Sequence, residues 1–455
     1  MKYFSFLWYL ILVFLFSHCS IQSYKELNLF TSNALVTSRS KQCLECHTKK
    51  TPSIVESWQK SSHASAAVGC YECHKAGKND IDGFEHFGHT VATIVSPKDC
   101  SQCHEMEAEQ FLASHHAKGG QILDSLDNYL GEIVEGYPAA VSGCQQCHGS
   151  IVEVIETVED DGTVKKTLSP DSWPNFGIGR INPDGTSGSC SSCHSRHDFS
   201  LEQARAPETC GKCHMGPDHP QKEVYEESKH GIAYRTHKDE LNMDKARWVV
   251  GVDYTAAPTC ATCHVSATQN QSRTHDIGLR ISWNLRAPIS KKTENSKRKK
   301  LAMKEVCMTC HNPNYVNNFY KQLDAGIELY NNKFAVPATE VMNRLRKAEK
   351  IDPVQFNEEI EWIYFYLWHH EGRRARNGIA MMGPDYTQWH GFYDIAERFY
   401  IEFVHAAEEL MPGVMDEILA RDEHKWFNSG LTNKQILELN EKNKAKYKKI
   451  YRGEM

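Results

Sequence analysis

A five-residue pattern, Cys-x-x-Cys-His, occurs eight times between Cys43 and His311 and constrains this chain more than any other feature. It uses sixteen of the 17 cysteines in 455 residues and leaves only Cys19 outside. A long chain with cysteines placed in this way does not fit a small disulfide-linked scaffold. The paired cysteines are Cys43 and Cys46, Cys70 and Cys73, Cys100 and Cys103, Cys144 and Cys147, Cys190 and Cys193, Cys210 and Cys213, Cys260 and Cys263, and Cys307 and Cys310. The histidines that complete the patterns are His47, His74, His104, His148, His194, His214, His264 and His311.

This spacing is typical of the attachment site of a c-type haem. The two thiols bond to the porphyrin, and the adjacent histidine binds the iron from the proximal side. Zinc sites also use Cys-x-x-Cys pairs, but neither zinc nor disulfides require a histidine after each pair. We therefore expect eight haem c groups. Their apolar bulk compensates for a hydrophobic content of only 40 %, and the protein should not fold without them. The formal charge of -6 argues against nucleic-acid binding.

The amino terminus has the pattern of a secretory signal. Lys2 is its only charge, and Tyr3–Phe16 is a nearly unbroken apolar run that suits the hydrophobic region of a signal peptide and is short for a membrane-spanning helix. We predict a signal peptide over residues 1–20 and an extracytoplasmic location, in a periplasm or an equivalent compartment. Two alternatives stay open, a lipid anchor at Cys19 and an uncleaved membrane anchor.

The remaining sequence divides into two parts. The haem motifs start between 20 and 50 residues apart, so they do not form a repeat of fixed period. We predict a mainly α fold, with an octahaem-binding region over 21–326 that contains little β-structure and a long-helix C-terminal domain over 327–455, whose aromatic residues form core or a subunit interface. One hairpin is expected within Ile151–Leu168. Helical periodicity is clearest in Thr339–Lys350, Asn357–Asn377 and Tyr393–Leu410.

The segment Lys291–Lys304 is basic and poor in apolar residues. It is interpreted as a solvated loop. The alternative is a docking patch for an acidic electron acceptor.

Fifteen histidines lie outside the motifs and the signal segment. A second axial histidine closes a haem iron to ligands and makes the haem an electron relay, whereas an open position admits substrate. The candidates for second ligands are His63, His89, His115 or His116, His197, His230, His275, and His370 or His390.

Two further segments carry residues suited to catalysis. Asp218 and His219 follow the sixth motif closely. A histidine five residues after a proximal ligand cannot easily reach the same iron, but it can stand over a neighbouring haem as a proton carrier that Asp218 tunes. The alternative is a salt-bridged surface pair. The segment Met381–Tyr393 brings Tyr386 and His390 close together in the sequence.

The chain resembles the octahaem hydroxylamine oxidoreductase family. The resemblance covers nearly the whole chain beyond the signal, and besides the eight motifs it rests on five segments. These are Gly179–Ser200, Cys210–Gln221, the ESKHGI segment around His230, Thr274–Arg286 and His369–Gly391.

The resemblance implies a helical homotrimer with seven bis-histidine haems and one open, catalytic haem. The catalytic haem would be the fourth, attached at Cys144 and Cys147 with His148 as its ligand, and the Asp-His pair over it would be Asp218 and His219. In oxidative members a tyrosine of the neighbouring subunit bonds to the catalytic porphyrin. Its best match is Tyr386, with Tyr393 as second choice.

These features predict an enzyme that oxidises hydroxylamine or hydrazine and passes electrons to a soluble or membrane-bound acceptor cytochrome. One alternative is the same scaffold acting as a nitrite or hydroxylamine reductase that forms ammonium. The other is an electron conduit in which every haem is six-coordinate. No nucleic-acid partner is expected.

Overall fold

A computed structural model describes residues 36–124, 126–162 and 164–452. The predicted signal peptide, with Cys19, lies outside these residues. The structure is 57 % helical and 7 % strand, which confirms the predicted mainly α fold with little β-structure. Among the described residues, no helix combines the length and the apolar character that crossing a membrane requires.

The helices before residue 270 are short, and several carry a haem motif. They are α1 (Ser38–Lys50), α2 (Pro52–Gln59), α3 (Ser62–Ser65), α4 (Cys70–His74), α5 (Pro97–Ser101), α6 (Glu105–Ala113), α7 (Leu126–Tyr129), α8 (Tyr137–Ser142), α9 (Cys144–His148), α10 (Leu201–Arg205), α11 (Pro207–Gly211), α12 (Gln221–Glu227), α13 (Lys229–His237) and α14 (Cys260–His264). Helix α5 shows why they begin where they do. The Ser96 hydroxyl accepts from the Lys98 N–H, and the Asp99 carboxylate accepts from the Ser96 N–H. This capping box satisfies amide groups that a short helix leaves without partners.

The helices that follow include the longest among the described residues, Pro313–Tyr330 and Asn433–Tyr451, and several are joined by π-helical turns. They are α15 (Ser296–Met308), α16 (Pro313–Tyr330), α17 (Val336–Lys347), α18 (Glu359–Phe365), α19 (Gly372–Met381), α20 (Pro384–Thr387), α21 (Asp394–Glu397), α22 (Val404–Leu410), α23 (Asp416–Leu419), α24 (Trp426–Ser429) and α25 (Asn433–Tyr451). The π-helical turns here are Asn331–Ala335, Tyr366–Glu371, Gln388–Tyr393 and Arg398–Phe403. The three segments with helical periodicity all lie in this region, which confirms the prediction of long C-terminal helices.

The strands form three separate two-stranded antiparallel hairpins. They are β1 (Phe84–His86) with β2 (His89–Val91), β3 (Val154–Val158) with β4 (Val164–Leu168), and β5 (Trp283–Asn284) with β6 (Lys291–Lys292). The second is the predicted hairpin, with Val154 opposite Leu168. The interpretation of Lys291–Lys304 as a loop is wrong, because this segment supplies β6 and most of helix α15.

The chain packs into two compact units. One contains the described residues up to Cys213 together with His237–Arg280, and the other contains His214–Thr236 together with the described residues from Ile281 onward. These bounds differ from the division predicted at residue 326, because a short segment after the sixth motif packs with the C-terminal helices. That predicted division stays a prediction about where the haem-binding region ends.

The core of the second unit is an apolar cluster from α16, α17 and the helices that follow, with Tyr330, Phe399 and Phe403 almost completely buried. Arg376 of α19 is fully buried against this cluster, and its guanidinium lies 4.1 Å from the centre of the Tyr330 ring. It donates to the carbonyl oxygens of Ala287 and Trp368, among other acceptors. A buried charge is tolerated where hydrogen bonds compensate for lost water, so Arg376 holds α19 in a defined position.

Candidate functional site

Five motif histidines face a second histidine at one recurring distance. A metal ion bonded to two imidazole nitrogens at roughly 2 Å each holds the two ring centroids roughly 6 Å apart. The observed separations of 6.0 to 6.4 Å fit iron with two axial histidines. The pairs are His47 with His86, His74 with His197, His104 with His63, His194 with His275, and His311 with His230.

Four of the second histidines are among the predicted candidates, namely His63, His197, His230 and His275. The fifth, His86, was missed by the sequence analysis. Its neighbour His89, which was selected instead, has Nε2 2.8 Å from Gln42 Oε1 and its ring 5.5 Å from that of Tyr71. The segment FEHFGHT offers both histidines, and nothing in the spacing of the motifs distinguishes them.

Burial favours the neutral form of five of these imidazoles. It lowers the pKa of His63, His197, His230 and His275, and it lowers the pKa of His194 to about 4. For most of them the positive charge of the facing histidine lowers the pKa further. Neutral imidazole is the form that binds a metal ion, so this environment suits iron ligands.

The predicted ligand His390 lies in a different setting. Its Nε2 is 3.3 Å from Asp385 Oδ2 and its Nδ1 is 3.8 Å from Asp394 Oδ2, and more than half of its side chain is exposed. The roles assigned to His115, His148, His264 and His390 stay predictions.

Asp218 and His219 form a direct pair within the second unit. Asp218 Oδ1 lies 2.5 Å from His219 Nδ1, and Asp218 Oδ2 lies 3.3 Å from Arg373 Nη1. The side chains of Asp218 and Arg373 are 19 % and 11 % exposed, whereas that of His219 is 31 % exposed. The carboxylate of Asp218 is thus shielded from solvent, whereas solvent reaches the side chain of His219. This arrangement is expected when the histidine carries protons and the carboxylate orients it.

The charge of Asp218 is secured by its neighbours. Burial alone would raise the pKa of this carboxyl, but His219, His369 and Arg373 outweigh that effect and lower the pKa to about 2. Asp218 is therefore ionised throughout the neutral range. His369 and Arg373 were not selected from the sequence, although both lie in a segment that carries the family resemblance.

Helix α19 positions Arg373. Its Nε donates to the Arg286 carbonyl oxygen at 3.0 Å, and its guanidinium lies 5.1 Å from the centre of the Trp368 ring. Together with the buried Arg376 one turn later, these contacts fix the guanidinium that reaches Asp218. The acid–base pair therefore rests on the helical core of the second unit.

The ring of His219 also lies 6.2 Å from that of His214, the ligand of the sixth motif, with the planes 80° apart. This spacing matches the five histidine pairs. The ring distance alone is compatible with a second iron ligand and with a proton carrier. His148 belongs to the first unit, so the placement of His219 over the fourth haem stays a prediction.

Tyr386 lies in the short helix α20. Its backbone N–H is 3.4 Å from Glu227 Oε1, and its ring is 5.7 Å from that of His390. The close approach of α20 to α19 requires Gly378, because a Cβ there would come within 2.5 Å of the Thr387 nitrogen. Tyr393, the second candidate, is 51 % exposed.

Comparisons with known proteins agree with this picture. A family model described as "Seven times multi-haem cytochrome CxxCH" matches residues 184–352, and one described as "Cytochrome c554 and c-prime" matches residues 19–83 and 99–169. A "Probable nitrite reductase-hydroxylamine oxidoreductase fusion protein" of Kuenenia stuttgartiensis is 27 % identical over 338 residues, which is 64 % of this chain and 36 % of that protein. The chain thus spans about a third of the length of this curated relative.

Two solved structures share the fold. A "Hypothetical multiheme protein" is 26 % identical with a TM-score of 0.72, covering 85 % of this chain and 97 % of its own. A reducing HAO-like protein complex of Kuenenia stuttgartiensis is 20 % identical with a TM-score of 0.60, covering 84 % of this chain and 87 % of its own. The chain is thus similar to multihaem cytochromes c, and among them to the hydroxylamine oxidoreductase-like family. Haem c is the cofactor of this family of cytochromes, and the histidine pairs are placed to hold its iron.

Proposed function

We propose that this multihaem cytochrome oxidises hydroxylamine or hydrazine at an open haem attached to Cys144 and Cys147, with His148 as proximal ligand. The observation that carries the proposal is the Asp218–His219 pair held by Arg373. The bound haem supplies a position for substrate on its iron and accepts the electrons. Haems held by the five histidine pairs would relay those electrons to an acceptor cytochrome outside the cytoplasm, in a homotrimer.

His219 manages the protons of this reaction. Each N–H or O–H bond that the substrate loses in oxidation gives one electron and one proton. Because His219 Nδ1 lies 2.5 Å from Asp218 Oδ1, we expect Nδ1 to carry a proton and Nε2 to offer the lone pair that takes one from the substrate. The ionised Asp218 then stabilises the imidazolium until the proton passes to solvent, which reaches the His219 side chain.

The backbone favours a proton carrier over a second ligand for the sixth haem. The Lys222 N–H donates to the His214 carbonyl oxygen at 3.0 Å, and the Gln221 N–H donates to that of His219 at 2.8 Å. The loop from His214 to Lys222 is therefore closed and compact. A second ligand five residues from the first would require such a loop to pass around the edge of a porphyrin. The other five pairs join residues at least 39 positions apart.

Reduction of nitrite or hydroxylamine to ammonium is the second candidate. It is favoured by the name of the curated relative, which combines a nitrite reductase with a hydroxylamine oxidoreductase. The Asp218–His219 pair suits either direction, because a histidine that accepts protons in oxidation donates them in reduction.

The test is turnover of the haem-loaded His219→Ala variant with hydroxylamine, hydrazine and nitrite. General acid–base catalysis typically contributes ~10²–10⁴-fold, and we expect a loss of that size with an unchanged haem spectrum. His237→Ala is the matched control, because Nδ1 of this exposed histidine also contacts a carboxylate, Glu240, at 2.8 Å. Full activity in His219→Ala would contradict the proposal. Loss of a low-spin haem signal would instead make His219 an iron ligand.

A further inference from the structure

Positive charge is concentrated on strand β6 and the first turn of helix α15. The segment Lys291–Lys304 contains seven lysines and arginines and one acidic residue, in a chain whose formal charge is -6. We define the basic face as Lys291, Lys297, Arg298 and Lys299. Among the described residues, none of these four side chains makes an ion pair, so their charge remains available to a partner.

These charges do not stabilise the helix that carries them. Lys297 to Lys299 occupy the first turn of α15, which has no acidic residue. The positive end of the helix dipole lies there, so each cation is unfavourable for the helix. Residues that conflict with local stability are found where function requires them. The conflict therefore indicates an external role for the basic face.

Helix α15 connects the basic face directly to the eighth haem motif. Cys307 lies near its end, and Arg298 is nine residues earlier, about 14 Å along the helix axis. Cys307 packs against a buried cluster that includes Trp283 and Tyr320, so the connection is rigid. Cys310 of the same motif is exposed. A haem attached here would therefore lie close to the protein surface, on the same helix as the positive charges.

An open cavity of about 320 Å³ between α15 and α16 also carries positive charge. Its lining includes three lysines, Lys300, Lys304 and Lys321, and one acid, Asp324. Lys300 is paired with Asp324 at 2.6 Å, and Lys304 donates to Asn317 at 2.7 Å. Lys321 is exposed and, among the described residues, has no ion pair. The cavity therefore presents a net positive lining to an entering carboxylate.

We infer that the basic face docks an acidic electron-transfer protein, which exchanges electrons with the haem of the eighth motif. One electron passes between the haem iron and the one-electron centre of the partner, so that one is oxidised as the other is reduced. Opposite charge steers such encounters and raises association rates by 10–10³-fold at low ionic strength. This inference depends on the chain being a multihaem cytochrome and is independent of its nitrogen substrate.

The test compares two full-length, haem-loaded triple variants with equal changes in net charge. The first, Lys291→Glu, Lys297→Glu and Arg298→Glu, reverses the basic face, and its new carboxylates suit the start of α15. The control, Lys446→Glu, Lys448→Glu and Lys449→Glu, reverses exposed charges on helix α25. An acidic flavodoxin serves as the probe.

Two measurements test whether the acidic partner docks at the basic face. Carbodiimide cross-linking, mapped by mass spectrometry, should join flavodoxin carboxylates to lysines of the basic face in the wild type and in the control variant. In stopped-flow experiments at low salt, reversal of the basic face should slow electron transfer about 10-fold or more, and the control less than about 2-fold. Equal slowing in both variants, or cross-links that avoid the basic face, would overturn the inference. So would binding of anionic phospholipid vesicles that depends on the face while flavodoxin binding does not.

Discussion

Arg373 donates to the oxygen of Asp218 that His219 leaves available. One carboxylate oxygen thus contacts the imidazole at 2.5 Å and the other contacts the guanidinium at 3.3 Å. Because Arg373 lies in helix α19, the orientation of the Asp-His pair depends on packing in the helical core. Arg373 acts on the reaction through Asp218 and is a positioning residue.

Replacing Arg373 should therefore disturb proton transfer more than haem binding. We expect Arg373→Ala to lower kcat about 10-fold or more, because Asp218 loses one of the contacts that orient it, while KM changes little. Arg373→Lys should restore part of the activity, because it keeps the charge. The comparison is with Arg374→Ala on the same helix. Equal losses for both arginines would contradict a specific role for Arg373.

The ionisation of Asp218 leads to a pH prediction. With a pKa of about 2, Asp218 favours folding above its ordinary pKa of 3.8, and that contribution disappears only as the pH falls toward 2. Asp218 should therefore not produce the acid limb of the activity profile. Asp218→Asn should lower kcat/KM and move this limb to lower pH, since the imidazolium of His219 loses its counter-charge. An acid limb that keeps its position would show that the two groups are not coupled.

The number of haems can be counted directly. Each Cys-x-x-Cys-His motif should carry one porphyrin through two thioether bonds, so the intact mass should exceed that of the mature polypeptide by eight haem masses. Changing both cysteines of one motif to alanine should remove one haem mass. A wild-type protein with seven haems or fewer would contradict the count.

Two variants test whether His86 or His89 is the second iron ligand of the first haem. His86→Ala should remove the second ligand facing His47, whose ring lies 6.1 Å away. One low-spin haem should become high-spin and bind one further equivalent of carbon monoxide. His89→Ala is the matched control, three residues away, and should leave the spectrum unchanged. The reverse result would restore the assignment made from the sequence.

Tyr386 can be tested as the cross-linking tyrosine. If it bonds to the porphyrin of a neighbouring subunit, a denaturing gel stained for haem should show a covalent trimer. Tyr386→Phe should abolish the trimer band and shift activity toward reduction, whereas Tyr393→Phe should preserve both. A trimer band that survives in Tyr386→Phe but not in Tyr393→Phe would move the role to Tyr393. A wild type without cross-links would favour the reductive alternative.

Local features of this protein were easier to predict from the sequence than its packing. Haem attachment is a local pattern, so the motifs could be read directly, and helical periodicity located α17, α18 and α19. The choice of His86 over His89 depends on the path of a three-residue strand, which no local pattern specifies. The contact between Asp218 and Arg373 joins residues 155 positions apart. It depends on a buried arginine, Arg376, whose acceptors are mostly carbonyl oxygens that any sequence would supply.

The histidine pairs also have a consequence for how the protein matures. His197 follows His74 by 123 positions, whereas His63 precedes its partner His104. As the chain emerges from its amino terminus, a porphyrin attached at the second motif would wait for its distal ligand, whereas one attached at the third motif would find its distal ligand already present. Each completed iron then closes a loop, as a cross-link does, and removes conformational freedom from the unfolded chain. Cofactor insertion therefore sets the order in which distant segments are tied together.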